Sequence, residues 1–189
     1  YPENNPVTFL LIARMLWDKG VGEFVKSAKE IKSEFSDVRF QLLGFLDVSN
    51  RTAISREKMQ VWAEQGIIEY LGETDDVRPY IAAADCVILP SYREGLPRTL
   101  LEAASMGRPI IATDVTGCRE VVEHGANGYL CKPRDANDLA QKIIDMVKLS
   151  MDERREMGLR GRKMMEQNFD EKIIVEKIVS RIEGVLNIT

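Results

Sequence analysis

Hydrophobic and polar residues follow two different patterns along the first two thirds of the chain. Short apolar runs bounded by Gly, Pro or charged residues are typical of strands buried on both faces of a sheet. These runs predict strands over residues 7–13, 38–44, 67–71, 86–89, 109–112 and 128–131. Segments with apolar residues three and four positions apart predict helices over residues 20–35, 55–65, 77–84, 97–106 and 118–123.

Beyond residue 135 the pattern indicates helices alone. Apolar residues at helical spacing predict helices over residues 137–149, 151–167 and 173–186, which we expect to pack on the flank of the sheet. Strands that alternate with helices favour a parallel sheet covered on both faces. The sequence therefore predicts an α/β fold, with a single Rossmann-like domain over residues 1–189, about six parallel strands and a helical C-terminal tail.

Composition and charge narrow the classes of function open to such a domain. The formal net charge of −4 argues against a broad nucleic-acid surface, because phosphate backbones need a basic excess. No apolar run reaches the length of about 18 residues that a membrane-spanning helix needs. Three cysteines without paired spacing indicate free thiols in a reducing cytoplasm, and a single histidine, His124, argues against a His/Cys metal site. Because the chain begins with Tyr1, we expect a domain excised from a longer protein.

Ligands of open parallel sheets bind beyond the carboxyl ends of the strands. Four segments are predicted to lie there: residues 13–20, 44–47, 72–76 and 90–98. Arg14 and Lys19 supply cations in the first segment, and Arg93 and Arg98 do so in the last. The helix predicted to begin at Pro97 adds free backbone N–H groups and the positive end of its dipole. This combination favours a diphosphate, although surface ion pairs in solvated loops are the other interpretation of Arg14 and Lys19.

Two carboxylates flank the predicted start of this helix. Glu94 stands before it and, taken alone, is compatible with an exposed loop charge. Glu102 lies among apolar helix residues, where burial of an unpaired carboxylate costs several kcal/mol. We therefore expect Glu102 either to meet an internal cation such as Arg108 or to face the cavity and accept hydrogen bonds from ligand hydroxyls. In the second case, the two carboxylates address two parts of one extended ligand, with its anion held between them.

The segments around these residues resemble the C-terminal domain of retaining glycosyltransferases of family 4, which have the GT-B fold. The resemblance covers essentially the whole chain. Its most specific part is the family's pattern of two glutamates separated by seven residues, here Glu94 and Glu102. The matching segments are, in chain order, Ala13-Arg14, Lys19-Gly20, 90–97, 100–103, 107–113, 117–122 and 125–130.

The resemblance implies a role for each matching residue. Arg14, Lys19 and Glu94 would be the catalytic residues: the two cations would grip the donor diphosphate, and Glu94 would hydrogen-bond hydroxyls of the transferred sugar. Glu102 would bind the ribose hydroxyls. The other implied donor-binding residues are Gly95, Leu96, Arg98 and Thr99, through backbone N–H groups, and Gly72, Glu73 and Asp76, in the loop expected to hold the base.

The resemblance further implies transfer of a hexosyl or N-acetylhexosaminyl group from a nucleotide diphosphate sugar, with retention of configuration and without a bound metal or other cofactor. Segment 94–97 looks like that of bacterial enzymes that make surface polysaccharides from UDP-sugars. Pro97 departs from the glycine found in many members of the family. Because proline has no N–H group, one backbone contact to the donor is expected to be missing.

The implied partners are a carbohydrate or lipid-linked sugar acceptor and the protein's own N-terminal domain, which would hold the acceptor site. By itself, the domain is expected to bind the donor weakly and to transfer nothing. The full-length enzyme is expected to be cytoplasmic, with peripheral association at the inner face of the cell membrane, and to bind no nucleic acid.

Two other classes of function stay open. UDP-N-acetylglucosamine 2-epimerases share the GT-B architecture but need additional acid–base residues, and we interpret His124 as a turn residue instead. A non-catalytic nucleotide- or dinucleotide-binding module is expected to carry a G-x-G-x-x-G turn after the first strand. The loop at residues 14–20 has one glycine, at its end, which disfavours such a module.

Overall fold

The computed structural model describes residues 6–186 of the 189-residue chain. The strands are β1 (Val7–Ile12), β2 (Val38–Leu43), β3 (Glu69–Tyr70), β4 (Cys86–Leu89), β5 (Ile110–Thr113) and β6 (Gly128–Cys131). The helices are α1 (Val21–Glu34), α2 (Arg56–Glu64), α3 (Arg78–Ala83), α4 (Arg98–Ser105), α5 (Thr116–Arg119), α6 (Ala136–Lys148), α7 (Met151–Asn168) and α8 (Glu171–Leu186). The strands form one parallel sheet in the order β3-β2-β1-β4-β5-β6, which confirms the predicted Rossmann-like α/β fold with a helical tail.

The sheet is buried because helices cover both of its faces. In β1, Phe9 and Leu11 join one hydrophobic cluster and Leu10 joins the other, as the two-residue period of a strand requires. Helices α1 and α6 pack together over the first face, while α3, α4 and α5 contribute side chains to the cluster on the second. Because both faces of the sheet are buried, the strand sequences are continuous apolar runs and do not alternate between apolar and polar residues.

The strand order reverses between β1 and β4, which pair with each other near the middle of the sheet. Loops that leave neighbouring strands at such a point turn toward opposite faces and open a crevice between them. The loops after these two strands contain residues 13–20 and 90–97. The fold therefore brings together two segments of the chain on which the predicted site depends.

Several predicted element boundaries are wrong. Strand β3 has only two residues, because it lies at the edge of the sheet and pairs with β2 over two positions. Helix α4 begins at Arg98, one residue later than predicted, because Pro97 has an extended conformation (φ −73°, ψ 113°) and caps the helix from outside. Helix α5 is displaced toward the N-terminus of its predicted range. A short 3-10 helix, Trp17–Lys19, was not predicted.

The C-terminal helices differ in how they pack. Helix α6 packs against α1 and against β5 and β6, and α7 packs against α4 and β6, so both lie on the flank of the sheet as predicted. The prediction is wrong for α8, because its apolar side chains stay exposed: Ile178 and Ile182 are 53% and 52% accessible. Within residues 6–186, no helix combines the length and apolar character that crossing a membrane requires.

The three cysteines are free and buried, as the sequence predicts. Burial raises the pKa of all three thiols, to about 11 for Cys118 and to about 12 for Cys131. The thiols are therefore neutral apolar packing groups at ordinary pH.

Candidate functional site

The loops after β1 and β4 are joined by an ion pair at the carboxyl edge of the sheet. The ammonium group of Lys19 lies 2.7 Å from Oε1 of Glu94, and the two side chains are only 22% and 12% accessible. The structure thus brings together two of the three residues predicted to be catalytic. A partly buried pair of this kind loses less strength to solvent screening than a surface pair does.

Close backbone packing holds the two loops in register. Gly20 has a left-handed conformation (φ 72°), and a Cβ atom at this position would overlap the carbonyl oxygen of Pro90. On the other side of the same loop, a Cβ atom on Gly117 would overlap the carbonyl oxygen of Gly95. Glycine is therefore required at both positions, where the chain passes directly against the segment that carries Glu94.

The loop that carries Glu94 leads directly into helix α4, which begins four residues later, at Arg98. Its first amide groups with a backbone partner in the structure are those of Leu100 and Leu101, which donate to the carbonyl of Pro97 at 3.0 and 3.3 Å. The amides of Arg98 and Thr99 precede them, at the positive end of the helix dipole. Gly95 and Leu96, the remaining predicted backbone donors, lie exposed in the loop just before the helix. This arrangement suits an anion.

Glu102 lies one turn into α4, and the cation that it contacts is Arg98 and not Arg108. Its carboxylate accepts a hydrogen bond from Nε of Arg98 at 2.9 Å, and it is 30% accessible, whereas Arg98 is 89% accessible. Arg108 instead donates to the carbonyl of Ala82 at 2.9 Å. The interpretation in which Glu102 meets Arg108 is therefore wrong, and the half-buried carboxylate is held by an exposed arginine at spacing i,i+4.

A cavity of about 210 Å³ opens beside α4, between the ends of β1 and β2. Arg14 and Thr99, two predicted donor-binding residues, line one part of it, and Phe45, Thr74 and Val77 line another. Phe45 is 51% accessible, so a large part of its ring is available to a ligand. Phe45 and Thr74 were not predicted as site residues, although the segments 44–47 and 72–76 that contain them were.

The loop at residues 72–76 lies at the predicted edge of the sheet, but only some of its side chains face the cavity. The carbonyl of Gly72 accepts a hydrogen bond from the amide of Gly44 at 2.8 Å, which fixes the loop at the sheet edge. Asp76 binds the guanidinium of Arg78 at 2.7 Å, and the hydrogen bond from Arg78 lowers the pKa of Asp76. Glu73 is exposed. Only Thr74 of this loop lines the cavity, so the predicted role of Asp76 competes with its bond to Arg78.

Two further basic residues named from the sequence, Arg93 and His124, take no part in the Lys19–Glu94 ion pair. Arg93 is exposed beside Glu94. Nδ1 of His124 accepts a hydrogen bond from the amide of Leu130 at 2.9 Å, which confirms its structural role in the turn before β6. Among residues 6–186, no three His, Cys, Asp or Glu side chains are grouped closely enough to hold a metal ion.

Comparison with known proteins decides the family. A family model described as Glycosyl transferases group 1 matches residues 6–148. A curated relative, the N,N'-diacetylbacillosaminyl-diphospho-undecaprenol alpha-1,3-N-acetylgalactosaminyltransferase of Campylobacter jejuni, is 33% identical over 178 residues, which is 94% of this chain. The chain belongs to the group 1 glycosyltransferases.

This glycosyltransferase chain is shorter than its relatives. It covers 44% of the Campylobacter enzyme and 46% of the putative colanic acid biosynthesis glycosyltransferase WcaL of Escherichia coli, to which it is 26% identical over 188 residues, or 95% of the chain. The chain therefore spans about half the length of the curated relatives it matches.

Solved structures share the fold of this chain over about half of their own length. Anabaena HepE in complex with UDP superposes with a TM-score of 0.83 at 22% identity, over 95% of this chain and 49% of that one. A glycosyltransferase from Rickettsia africae gives 0.84 at 24% identity, over 100% and 50%. These likenesses confirm the fold of a C-terminal GT-B domain, while the roles of individual site residues stay predictions.

Proposed function

We propose that this chain is the donor-binding part of a group 1 glycosyltransferase, and that its donor is a UDP-sugar. The observation that carries the proposal is the Lys19–Glu94 ion pair, which joins the loop that carries Arg14 to the loop that leads into α4. A cavity lined by Arg14 and Thr99 lies at the start of the same helix. In the proposed site, these cations and backbone amides would surround one elongated ligand together with the carboxylates of Glu94 and Glu102. A nucleotide diphosphate sugar needs these groups in that combination.

The diphosphate is assigned to the N-terminus of α4. Backbone amides of Arg98 and Thr99 would donate to phosphate oxygens, while Arg14 and Lys19 would neutralise their charge. Lys19 is already held by Glu94 at 2.7 Å, so its ammonium group is positioned before any ligand arrives. Since charge develops on the departing diphosphate during transfer, cations fixed in advance would stabilise the transition state most.

The nucleoside is assigned to the other end of the space. Glu102 lies one turn from the helix start and would accept hydrogen bonds from the ribose hydroxyls. The base would enter the cavity of about 210 Å³, with the half-exposed ring of Phe45 as a stacking surface and Thr74 at its rim. In this arrangement Asp76 stays with Arg78, and the base contacts come from Phe45 and from main-chain atoms of the loop 72–76.

The transferred sugar is assigned to Glu94, the residue before the exposed Gly95 and Leu96. Hydrogen bonds from sugar hydroxyls to this carboxylate would orient the anomeric carbon toward an acceptor hydroxyl. The bond from that carbon to the diphosphate oxygen would break, the acceptor oxygen would take its place with retention, and UDP would leave with the proton of the acceptor hydroxyl. Retention and the lack of a metal requirement stay predictions.

The names of relatives support the choice of donor and acceptor. The Campylobacter relative is named as a transferase acting on a diphospho-undecaprenol sugar, and two similar structures, HepE and a pneumococcal O-GlcNAc transferase, contain UDP. We therefore propose a carbohydrate or lipid-linked sugar acceptor for the whole enzyme, at the inner face of the cell membrane. Because this chain spans about half of such enzymes, we expect it to bind the donor and to transfer nothing by itself.

Calorimetric titration of the chain with UDP, GDP, ADP and NAD tests the proposal. We expect UDP to bind most tightly, and its affinity to fall in both Arg14→Ala and Lys19→Ala. Lys163→Ala, which removes an exposed cation from α7, is the matched control and should bind UDP as the wild type does. Tight binding of NAD in preference to UDP would instead indicate a dinucleotide-binding module.

A further inference from the structure

Tyr92 joins the two loops that carry Lys19 and Glu94, although the proposed donor site gives it no contact with the donor. Its backbone N–H group donates to the carbonyl of Asp18 at 2.9 Å. Asp18 precedes Lys19 directly, and Tyr92 stands two residues before Glu94. The main-chain bond and the ion pair are thus adjacent links between the same two loops.

The side chain of Tyr92 is anchored to two further elements. Its hydroxyl donates to Oε1 of Glu23, in the first turn of α1, at 2.7 Å. The guanidinium of Arg134, from the loop between β6 and α6, covers its ring at 4.7 Å from the ring centroid. Arg134 has a left-handed conformation (φ 61°), which a non-glycine residue adopts only where surrounding contacts compensate for the strain. Tyr92 is therefore fixed by α1 and by the loop that follows β6.

The hydroxyl of Tyr92 keeps its donor role across the ordinary pH range. Burial, followed by the hydrogen bond to the Glu23 carboxylate, raises the pKa of Tyr92 to about 12. The phenol thus stays protonated and can donate to Glu23 at any pH at which the chain would be assayed. Neither loop has regular structure beyond the short 3-10 helix, so these side-chain contacts add to the backbone packing that holds the two loops in register.

We propose that Tyr92 is a positioning residue that sets the place of Lys19 relative to Glu94 through its bonds to Asp18 and Glu23. The inference rests on the proposed function, because it acts through the ion pair assigned to donor binding. A site whose groups are held in place binds more tightly than one that must be ordered by its ligand. Tyr92 would accordingly raise the affinity for a nucleoside diphosphate without touching it.

The first test compares variants of the hydrogen bond by calorimetric titration with UDP. Tyr92→Phe, which keeps the ring under Arg134, is expected to bind UDP about fivefold more weakly. Glu23→Ala should show a similar loss, whereas Glu23→Gln retains an acceptor oxygen and should stay within about twofold of the wild type. Tyr129→Phe, on β6, is the matched control and should not change the affinity.

The second test separates positioning from a general structural role. Tyr92→Phe is introduced into the Lys19→Ala variant, where a residue that acts through Lys19 has nothing left to position. The fivefold loss should then disappear, whereas independent effects would add. The inference is overturned if the loss persists there, or if Tyr92→Phe lowers only the unfolding temperature and leaves UDP affinity unchanged. If wild-type chain binds no nucleoside diphosphate at all, the proposed function fails before any variant is compared.

Discussion

Lys19 and Glu94 form an ion pair of 2.7 Å although 75 residues separate them in the sequence. The contact exists because β1 and β4 are neighbours in the sheet, so that the loops that follow them meet at the same edge. Each side chain is mostly shielded from solvent, which keeps the attraction strong and the geometry fixed. In the proposed site this pair connects the diphosphate, held by Lys19, with the sugar, held by Glu94.

Replacing Lys19 by alanine should weaken UDP binding by about tenfold, because a hydrogen bond to a charged phosphate contributes about 1.5–3 kcal/mol. The dissociation constant, measured by calorimetry at fixed ionic strength, gives the result directly. Pyrophosphate should lose affinity by the same factor, because the lost contact is to phosphate alone. Unchanged affinity for both ligands in this variant would exclude Lys19 from the diphosphate site.

Glu102→Gln should reduce recognition of the ribose. Wild-type chain is expected to prefer UDP to 2′-deoxy-UDP, since a hydroxyl that donates to a carboxylate forms a charge-assisted hydrogen bond. In Glu102→Gln this preference should become smaller, because the amide oxygen still accepts a hydrogen bond but carries no charge, and a competition titration measures the change. Arg98→Ala removes only the exposed end of the Arg98–Glu102 pair, and should change the free energy of unfolding by less than about 0.5 kcal/mol. A preference for UDP that is as large in Glu102→Gln as in the wild type would place the ribose elsewhere.

Phe45→Ala should weaken binding only for ligands that carry a base. Stacking of a nucleobase on an aromatic side chain contributes about 1–3 kcal/mol, so UDP affinity should fall roughly tenfold while pyrophosphate affinity stays the same. Val61→Ala, which removes an exposed apolar side chain from α2, serves as the control for a general loss of surface. Equal losses for UDP and pyrophosphate would mean that Phe45 supports the phosphate end instead of the base.

The sequence predicts the sheet well because burial on both faces leaves a strong apolar pattern. Strands β4 and β6 have the bounds that were predicted, whereas β3 shrinks to two residues at the sheet edge, where little pairing is available. The length of an edge strand depends on how far it pairs with its neighbouring strand, so the local sequence pattern cannot predict that length. The apolar stripe of α8 likewise predicts a buried side, but the described part of the chain provides no surface that covers it.

The candidate site likewise contains residues that a sequence pattern indicates and residues that only the tertiary structure brings together. Arg14, Lys19 and Glu94 could be singled out from their positions after predicted strands, and Glu102 as a carboxylate among apolar helix residues. Their roles stay predictions. The Arg98–Glu102 pair also had a local signal, the i,i+4 spacing, which outweighs the more distant Arg108. Phe45, by contrast, reaches the cavity only because β2 ends beside β1, a relationship fixed by the sheet order. Contacts of this kind depend on tertiary structure and have no local pattern.

Gly117→Ala should destabilise the chain, because its new methyl group would overlap the carbonyl oxygen of Gly95 and displace the backbone that carries Glu94. We expect a loss of about 3 kcal/mol or more in the free energy of unfolding, measured by urea denaturation. Gly95→Ala is the matched control: a Cβ atom there meets nothing within 4 Å, so the free energy of unfolding should stay close to the wild-type value. Equal stability of the two variants would show that the loop and α5 are not in contact in solution.

The buried thiols should make the chain less stable in alkali. The pKa of Cys118 is raised from its ordinary value of 9.0 to about 11, chiefly by burial and then by the nearby Glu94. Between these two values the unfolded chain releases a proton that the folded chain retains, so the free energy of unfolding must decrease as pH rises from 9 to about 11. Urea denaturation at a series of pH values measures this slope, and Cys118→Ala should make it shallower. If the slope is identical in that variant, Cys118 titrates in the folded chain as it does in the unfolded one, and the thiol is not buried.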